Sequence, residues 1–197
     1  LAPANAQLVN VGKRGHDAPT RSQRDIEALH AEEMVKQCDK QAEQGKVVIK
    51  CYEKAADLYL KLWKKYGAET CPDKKPGCEK MDKILYNSAR AFQAARLIAK
   101  AIAVRKILID PDNNLNETEA ARRAVYEIGG NYQAIAVYEQ AADWYEQFAD
   151  MDGGKDLKCS ENEDTCPDKA TALSDAVVLR LGLGQEGKAI DDANKFS

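Results

Sequence analysis

The residues best equipped for chemistry in this chain are six cysteines, which fall as three local pairs: Cys38/Cys51, Cys71/Cys78 and Cys159/Cys166. Paired thiols can form disulfides, hold a metal or stay reduced, and six cysteines leave many pairings open. Zinc wants C-x(2–4)-C spacing with histidine close by. Here twelve or six residues intervene, and neither histidine is near. Gly45 reads as a helix stop, with Cys38 seven residues before it and Cys51 six after. At a rise of about 1.5 Å per residue, the two sit within about 2 Å of the same height on an antiparallel helix pair, which predicts a disulfide. The other pairs bracket the turn-rich stretches CPDKKPGC and CSENEDTC, each predicted to close a small loop. Such bridges are worth roughly 2–3 kcal/mol. Disulfides require an oxidising compartment, so the periplasm, the cell envelope or surface, or secretion is expected. Unrelated buried thiols in a cytosolic protein are the competing reading.

Other reactive groups are sparse. DPDNNLNETEAA, from Asp110, has acidic or amide groups at positions 1, 3 and 5 of a calcium loop. It lacks the glycine at position 6 (Leu115) and the glutamate at position 12 (Ala121), so a solvated loop and helix cap is the simpler reading. The acidic stretch DMDGGKDLKCSENEDTC fails the same pattern. His16 and His30 have no Ser, Cys or Asp at a telling spacing. Asn116-Glu117-Thr118 matches a glycosylation triplet of a kind that also arises by chance. The expectation is no catalytic residue, no metal and no cofactor, hence no enzyme.

Composition agrees with a binding role. Across 197 residues, 29 basic and 32 acidic side chains leave a net charge of −3. Phosphate recognition needs a surplus of cations, so nucleic acid is not an expected partner. Mean hydropathy is −0.56, and no apolar run approaches the roughly 20 residues that span a bilayer. With 44% hydrophobic residues and six prolines, the chain has the composition of a folded domain. Ala4-Asn5-Ala6 resembles a small-residue cleavage site with too little before it to count as a signal peptide. The chain is therefore read as starting after processing or as a cut piece.

Helices must position these groups. Residues 1–20 read as an extended N-terminal arm, and 21–197 as one helical repeat domain. Thr20 and Gln23 fit a capping box for a helix to about Gln44. A second helix runs from Val47 to Tyr66 with Gly67 as its stop. The stretch 79–109 breaks near Ala95–Ile98 into two helices and ends at Asp110-Pro111. Asn116 and Glu119 form a capping box for a helix to Gln133, followed by one from Ile135 to Ala149. After an acidic loop, Thr165 caps a helix to Leu181, Pro167 sits in its first turn, and a last helix spans Gln185–Phe196. Trp63 and Trp144 are expected in the core. The count is about eight helices in antiparallel pairs, with no strand.

Self-similarity sets the architecture. YEKAADLYLKL, IAKAIAVRKIL, YEQAADWYEQF and EGKAIDDANKF superimpose on Ala55, Ala101, Ala141 and Ala189. Small residues (Ala89, Gly129) precede two of these alanines at equal distance, and aromatics (Phe92, Tyr132) follow the small residues. That pattern suits two closely crossing helices. Units that cannot bury their own faces stack into a solenoid. On LYNSARAFQAARLIAKAIAVRKILIDP and VYEIGGNYQAIAVYEQAADWYEQFA, the chain resembles the tetratricopeptide-repeat (TPR) superfamily, a divergent exported bacterial type, over residues 47–196. It lacks the usual early tryptophan, its periods exceed the usual length, and Pro111 is the only repeat-ending proline. The resemblance implies an all-α, right-handed α-solenoid of antiparallel helix pairs with disulfide-stapled loops. It also implies a non-catalytic scaffold for protein–protein interaction that binds a protein or peptide in its concave groove within an exported or envelope assembly. By position, the groove is lined by Lys83, Tyr86, Arg90 and Gln93, and then by Arg123, Tyr126, Gly130 and Gln133. Thr171, Ser174, Val178 and Leu181 form a more apolar last row. Such rows could clamp an acidic or aromatic peptide; packing tyrosines among solvated charges is the plainer reading. The competing function is a structural subunit that self-associates end to end into a larger or filamentous assembly.

Overall fold

The computed structural model describes residues 23–70 (without the side chains of 68–70), 80–151, 157 and 166–196. The described residues form eight α-helices and no strand: α1 (Gln23–Glu43), α2 (Ile49–Thr70), α3 (Met81–Ala94), α4 (Ile98–Ile109), α5 (Glu119–Ala134), α6 (Tyr138–Asp150), α7 (Lys169–Gly182) and α8 (Glu186–Asn194). Each packs on its neighbours in chain order, so four helix pairs are stacked in a row. The expected arm at residues 1–20, the cap Thr20, and the loop closed by Cys71 and Cys78 lie outside the described residues.

One turn is used four times. The first helix of every pair ends on a residue in the left-handed region: Gly45 (φ 71°), Arg96 (58°), Ala136 (60°) and Gly184 (70°). The next amide reaches back to close the helix end, with Lys46 N–H to Gln41 O (3.0 Å), Leu97 to Phe92 (2.9 Å), Val137 to Tyr132 (2.9 Å) and Gln185 to Arg180 (2.8 Å). This is the Schellman motif, which satisfies carbonyls that a helix end would otherwise leave open. Three of the turns have the same length. The α1–α2 connection is longer, so Ala55 stands further from its turn than Ala101, Ala141 and Ala189 do.

Those four alanines are all buried, as their alignment predicts. At the α5–α6 crossing, a Cβ on Gly129 would lie 2.8 Å from the Tyr145 ring and 3.2 Å from Ala141 O, so only glycine permits the approach. Phe92, Leu85, Leu108 and Ala124 lie in one core cluster, and Val125, Tyr145, Phe148 and Leu173 in the next. Trp63 and Trp144 are only half-buried, at the edges of these clusters.

Several local expectations are corrected. Gly67 does not stop α2, which runs on to Thr70. A Cβ there would meet the Trp63 ring at 2.5 Å, so the glycine makes room for an indole one turn back. Thr118, not Asn116, caps α5, its Oγ1 accepting from Ala121 N–H at 3.2 Å. Asp168 caps α7 by accepting from Thr171 N–H, which leaves Pro167 before the cap and not in the first turn. In the calcium-like stretch, Asp110 Oδ1 accepts from Asp112 N–H and Leu115 is fully buried, plugging the core where a calcium loop would need glycine.

Candidate functional site

The α1–α2 disulfide forms as the spacing predicts. Cys38 and Cys51 are bonded, with their Cα atoms 5.7 Å apart. Cys166 is also disulfide-bonded, while Cys71, Cys78 and Cys159 lie outside the described residues. The Cys38–Cys51 bridge matters because α1 buries only Ala31 and Cys38 completely. The next residue along each helix adds a second tie, Tyr52 donating its hydroxyl to Asp39 Oδ1 at 2.6 Å. That bond to a carboxylate pushes the Tyr52 pKa up to about 12.

The residues of the predicted rows lie on α3 and α5, and their tyrosines are engaged. Tyr86 donates to Glu127 Oε1 on α5 at 2.7 Å, and Tyr126 donates to Asp175 Oδ2 on α7 at 2.8 Å. Glu127 and Asp175 hold the same register in their helices, so a phenol-to-carboxylate strut repeats between successive pairs. Burial, then the Glu127 charge, pushes Tyr86 up to about 12; burial likewise raises Tyr126, with the Asp175 bond adding to it. Arg123 also contacts the Tyr86 hydroxyl. The Tyr126 ring lies 5.0 Å from that of Tyr145 and 5.4 Å from that of Phe148. Gln93 accepts from Arg105 at 2.9 Å and from Asn131 at 3.1 Å, and Gln133 accepts from Tyr145 at 2.7 Å. Lys83 and Arg90 are exposed, with the Arg90 guanidinium 5.9 Å from the Tyr86 ring centroid.

Tyr86 and Tyr126 thus tie successive pairs together, while Lys83, Arg90, Gln93 and Gln133 remain exposed. A cleft of about 370 Å³ opens between α1 and α3. Its floor is Tyr52 and Tyr59 of α2. Its rim carries Glu32 and Lys36 from α1 and Arg90 from α3, with Asn87 hydrogen-bonded to Tyr59. Of the predicted groove residues, only Arg90 lines it. Lys36 lies 3.5 Å from Glu32, an exposed pair that a bound charge could part at small cost. Burial pushes Tyr59 up to about 12, so both floor phenols stay neutral; the Tyr52 proton is given to Asp39, which leaves Tyr59 as the floor's donor. The cleft sets charges of both signs, Glu32 and Asp39 beside Lys36 and Arg90, over an aromatic floor, which offers hydrogen bonds, cation–π contact and apolar area.

Sequence reasoning missed two buried arginines. Arg105 of α4 reaches Glu127, Asn131 and Gln93, and Arg180 of α7 reaches Glu146, Asp143 and Gln185. The periodicity carries a faint signal for the struts, since each acid follows the tyrosine register by one residue. The described residues hold no group of three or more His, Cys, Asp or Glu placed to share a metal ion, and no helix among them is long and apolar enough to cross a membrane.

No family model matches the chain, and no curated protein does. Among solved structures it is similar to a kinesin-light-chain-type protein of Podosopora anserina with nearly identical TPR-like repeats. The identity is 15% and the TM-score 0.43, over 88% of this chain and 86% of that one. At that TM-score nothing further is drawn from the likeness; the stacked helix pairs are read from this chain's own geometry.

Proposed function

We propose that the chain is a non-catalytic protein-interaction scaffold that holds a peptide segment of a partner protein along its row of first helices. The observation that carries this reading is the α1–α3 cleft, with Lys36 and Arg90 at its rim and the Tyr52 and Tyr59 phenols on its floor. The exposed row residues Lys83 and Arg90 form a cationic edge along α3. Tyr86, Arg123 and Tyr126 take part in this reading by spacing the helices, and the exposed Gln93 and Gln133 by lining the row. The peptide favoured is acidic or aromatic, matching the α3 edge and the tyrosine floor. An exported or envelope setting is part of the proposal, supported by the Cys38–Cys51 bond.

The test is selection of displayed random peptides on the oxidised chain, followed by titration calorimetry with wild type and an Arg90→Ala/Tyr59→Leu variant. Enriched acidic or aromatic peptides whose affinity falls tenfold or more in a still-helical variant support the cleft. Failure to enrich any peptide, or affinity indifferent to both substitutions, refutes it.

A further inference from the structure

The four turns that join first to second helices lie along one edge of the stack. Tyr86 and Tyr126 each stand ten residues before the left-handed residue of their turn, and their partners Glu127 and Asp175 nine before theirs. Turns two to four are therefore nearly level. The first juts further. Ala95 and Leu97 of the second turn pack at the level of Cys38 and Tyr52, and Val47 lies five residues beyond Tyr52. The edge is apolar for its position. Val47 is 90% exposed, and Ile49, Ile135, Tyr138 and Leu183 are exposed with it, five of the eleven such large side chains among the described residues. The first two turns add cations. Lys50 and Lys100 share Glu53 at 2.9 Å each, whereas Lys46 and Arg96 are exposed and have no side-chain partner among the described residues. Glu43 is the other acid there. On the opposite edge, the α4–α5 connection instead exposes Asp110, Asp112 and Glu117. The two edges thus differ in both polarity and charge.

We propose that this edge is a peripheral membrane-binding face: the first turn inserts Val47 and Ile49 among lipid headgroups, and Lys46 and Arg96 meet anionic phosphates. Apolar side chains between cations are what an anionic bilayer surface takes up. The backbone suits such a site. At every tip an amide (Lys46, Leu97, Val137, Gln185) closes on a carbonyl of its own helix end, so the turn enters a water-poor layer with that group already paired. Tyr138 adds an amphipathic ring of the kind that settles at the headgroup level. The contact is made by narrow tips at unequal heights. A headgroup layer yields to each of them, whereas a folded partner would need a matching trench. A second copy would set Lys46 and Arg96 against their like. Glu139 and Glu186 enter at the third and fourth turns, so attraction is concentrated at the first two, and the acidic edge faces away. None of these residues lines the α1–α3 cleft, so the edge stands independently of the peptide site.

Cosedimentation of the oxidised 197-residue chain with vesicles tests the proposal. One set holds equal parts of phosphatidylcholine and phosphatidylglycerol, the other phosphatidylcholine alone. The expected result is partition onto the anionic vesicles, about tenfold weaker on the neutral ones. Val47→Asp, at an exposed position that leaves the helical circular dichroism unchanged, lowers the anionic partition about tenfold or more. Lys46→Gln/Arg96→Gln lowers it by about the same factor at low salt. Lys61→Gln/Lys64→Gln, toward the far end of α2, leaves it unmoved. No binding to the anionic vesicles, or binding indifferent to Val47→Asp, overturns the proposal. So does binding that falls equally with Lys61→Gln/Lys64→Gln. Benzoylphenylalanine in place of Val47, irradiated in a cell-envelope extract, is expected to couple to phospholipid. Coupling to protein alone, whether another protein or a second copy, also overturns it.

Discussion

Arg105 on α4 holds a single oxygen of Glu127 on α5, Oε2, from both Nε (2.8 Å) and Nη2 (2.6 Å), while the other oxygen takes the Tyr86 hydroxyl from α3. One carboxylate therefore ties three helices from two pairs. Arg105 is 1% exposed, so its charge has no water to fall back on. Glu127→Ala strands that charge and is expected to cost about 3–5 kcal/mol, whereas Arg105→Met, which removes the charge and fills the space, costs distinctly less. Urea titrations of the two variants decide it. Equal midpoints for Glu127→Ala and wild type would show that the tie adds nothing.

Two of the four repeated turns use a residue poorly suited to them. Arg96 and Ala136 adopt the left-handed conformation that Gly45 and Gly184 supply without steric cost. The left-handed penalty for a residue with a Cβ is roughly 1–2 kcal/mol, partly offset by the freedom that glycine gains when unfolded. Ala136→Gly is therefore expected to stabilise by about 0.5–1 kcal/mol, and Gly184→Ala to destabilise by a similar amount. Thermal melts of both show whether the sign reverses between them.

The α8 end carries a pH dependence of definite sign. Burial, then a hydrogen bond and repulsion from Glu146 of α6, pushes Asp192 up to about 6, against the opposing pull of Lys195 and Arg180. Asp143 and Asp150 of α6 complete the surroundings through Arg180 and Lys195. Asp192 Oδ2 is buried and has no hydrogen-bond partner among the described residues. A carboxyl with a raised folded pKa binds more protons folded than unfolded between its two pKa values. Stability is thus highest below about pH 4 for this group and falls as pH rises through 6. Asp192→Asn should remove that slope and gain about 1–3 kcal/mol above pH 7. Denaturation midpoints of wild type and variant that run parallel from pH 4 to 8 contradict the assignment.

The stacking was legible because it rests on local rules. Small residues must sit where helices cross, so Ala55, Ala101, Ala141 and Ala189 repeat and can be aligned by eye. The same locality misled at Gly67, where the sequence shows a glycine but not the Trp63 ring it accommodates. The tyrosine struts were illegible for the opposite reason. Tyr86 and Tyr126 find their carboxylates 41 and 49 residues away, and only the folded stack shows that phenol and acid meet. The cleft escaped notice because the longer α1–α2 connection shifts the register there, hiding that Lys36 and Asp39 stand opposite Arg90. Glu127 and Asp175 were recoverable in principle, since both follow the tyrosine register by one residue.

The Cys38–Cys51 bond gives the array a direction. In a stack where each pair touches only its neighbours, unfolding runs inward from whichever end opens first. At the α1 end, two helices are joined covalently and cannot part while oxidised. By contrast, α8 is a short helix held by side chains, one of them the buried Asp192. Among the described helices, α8 is therefore expected to fray before α1, which the bridge stitches to α2.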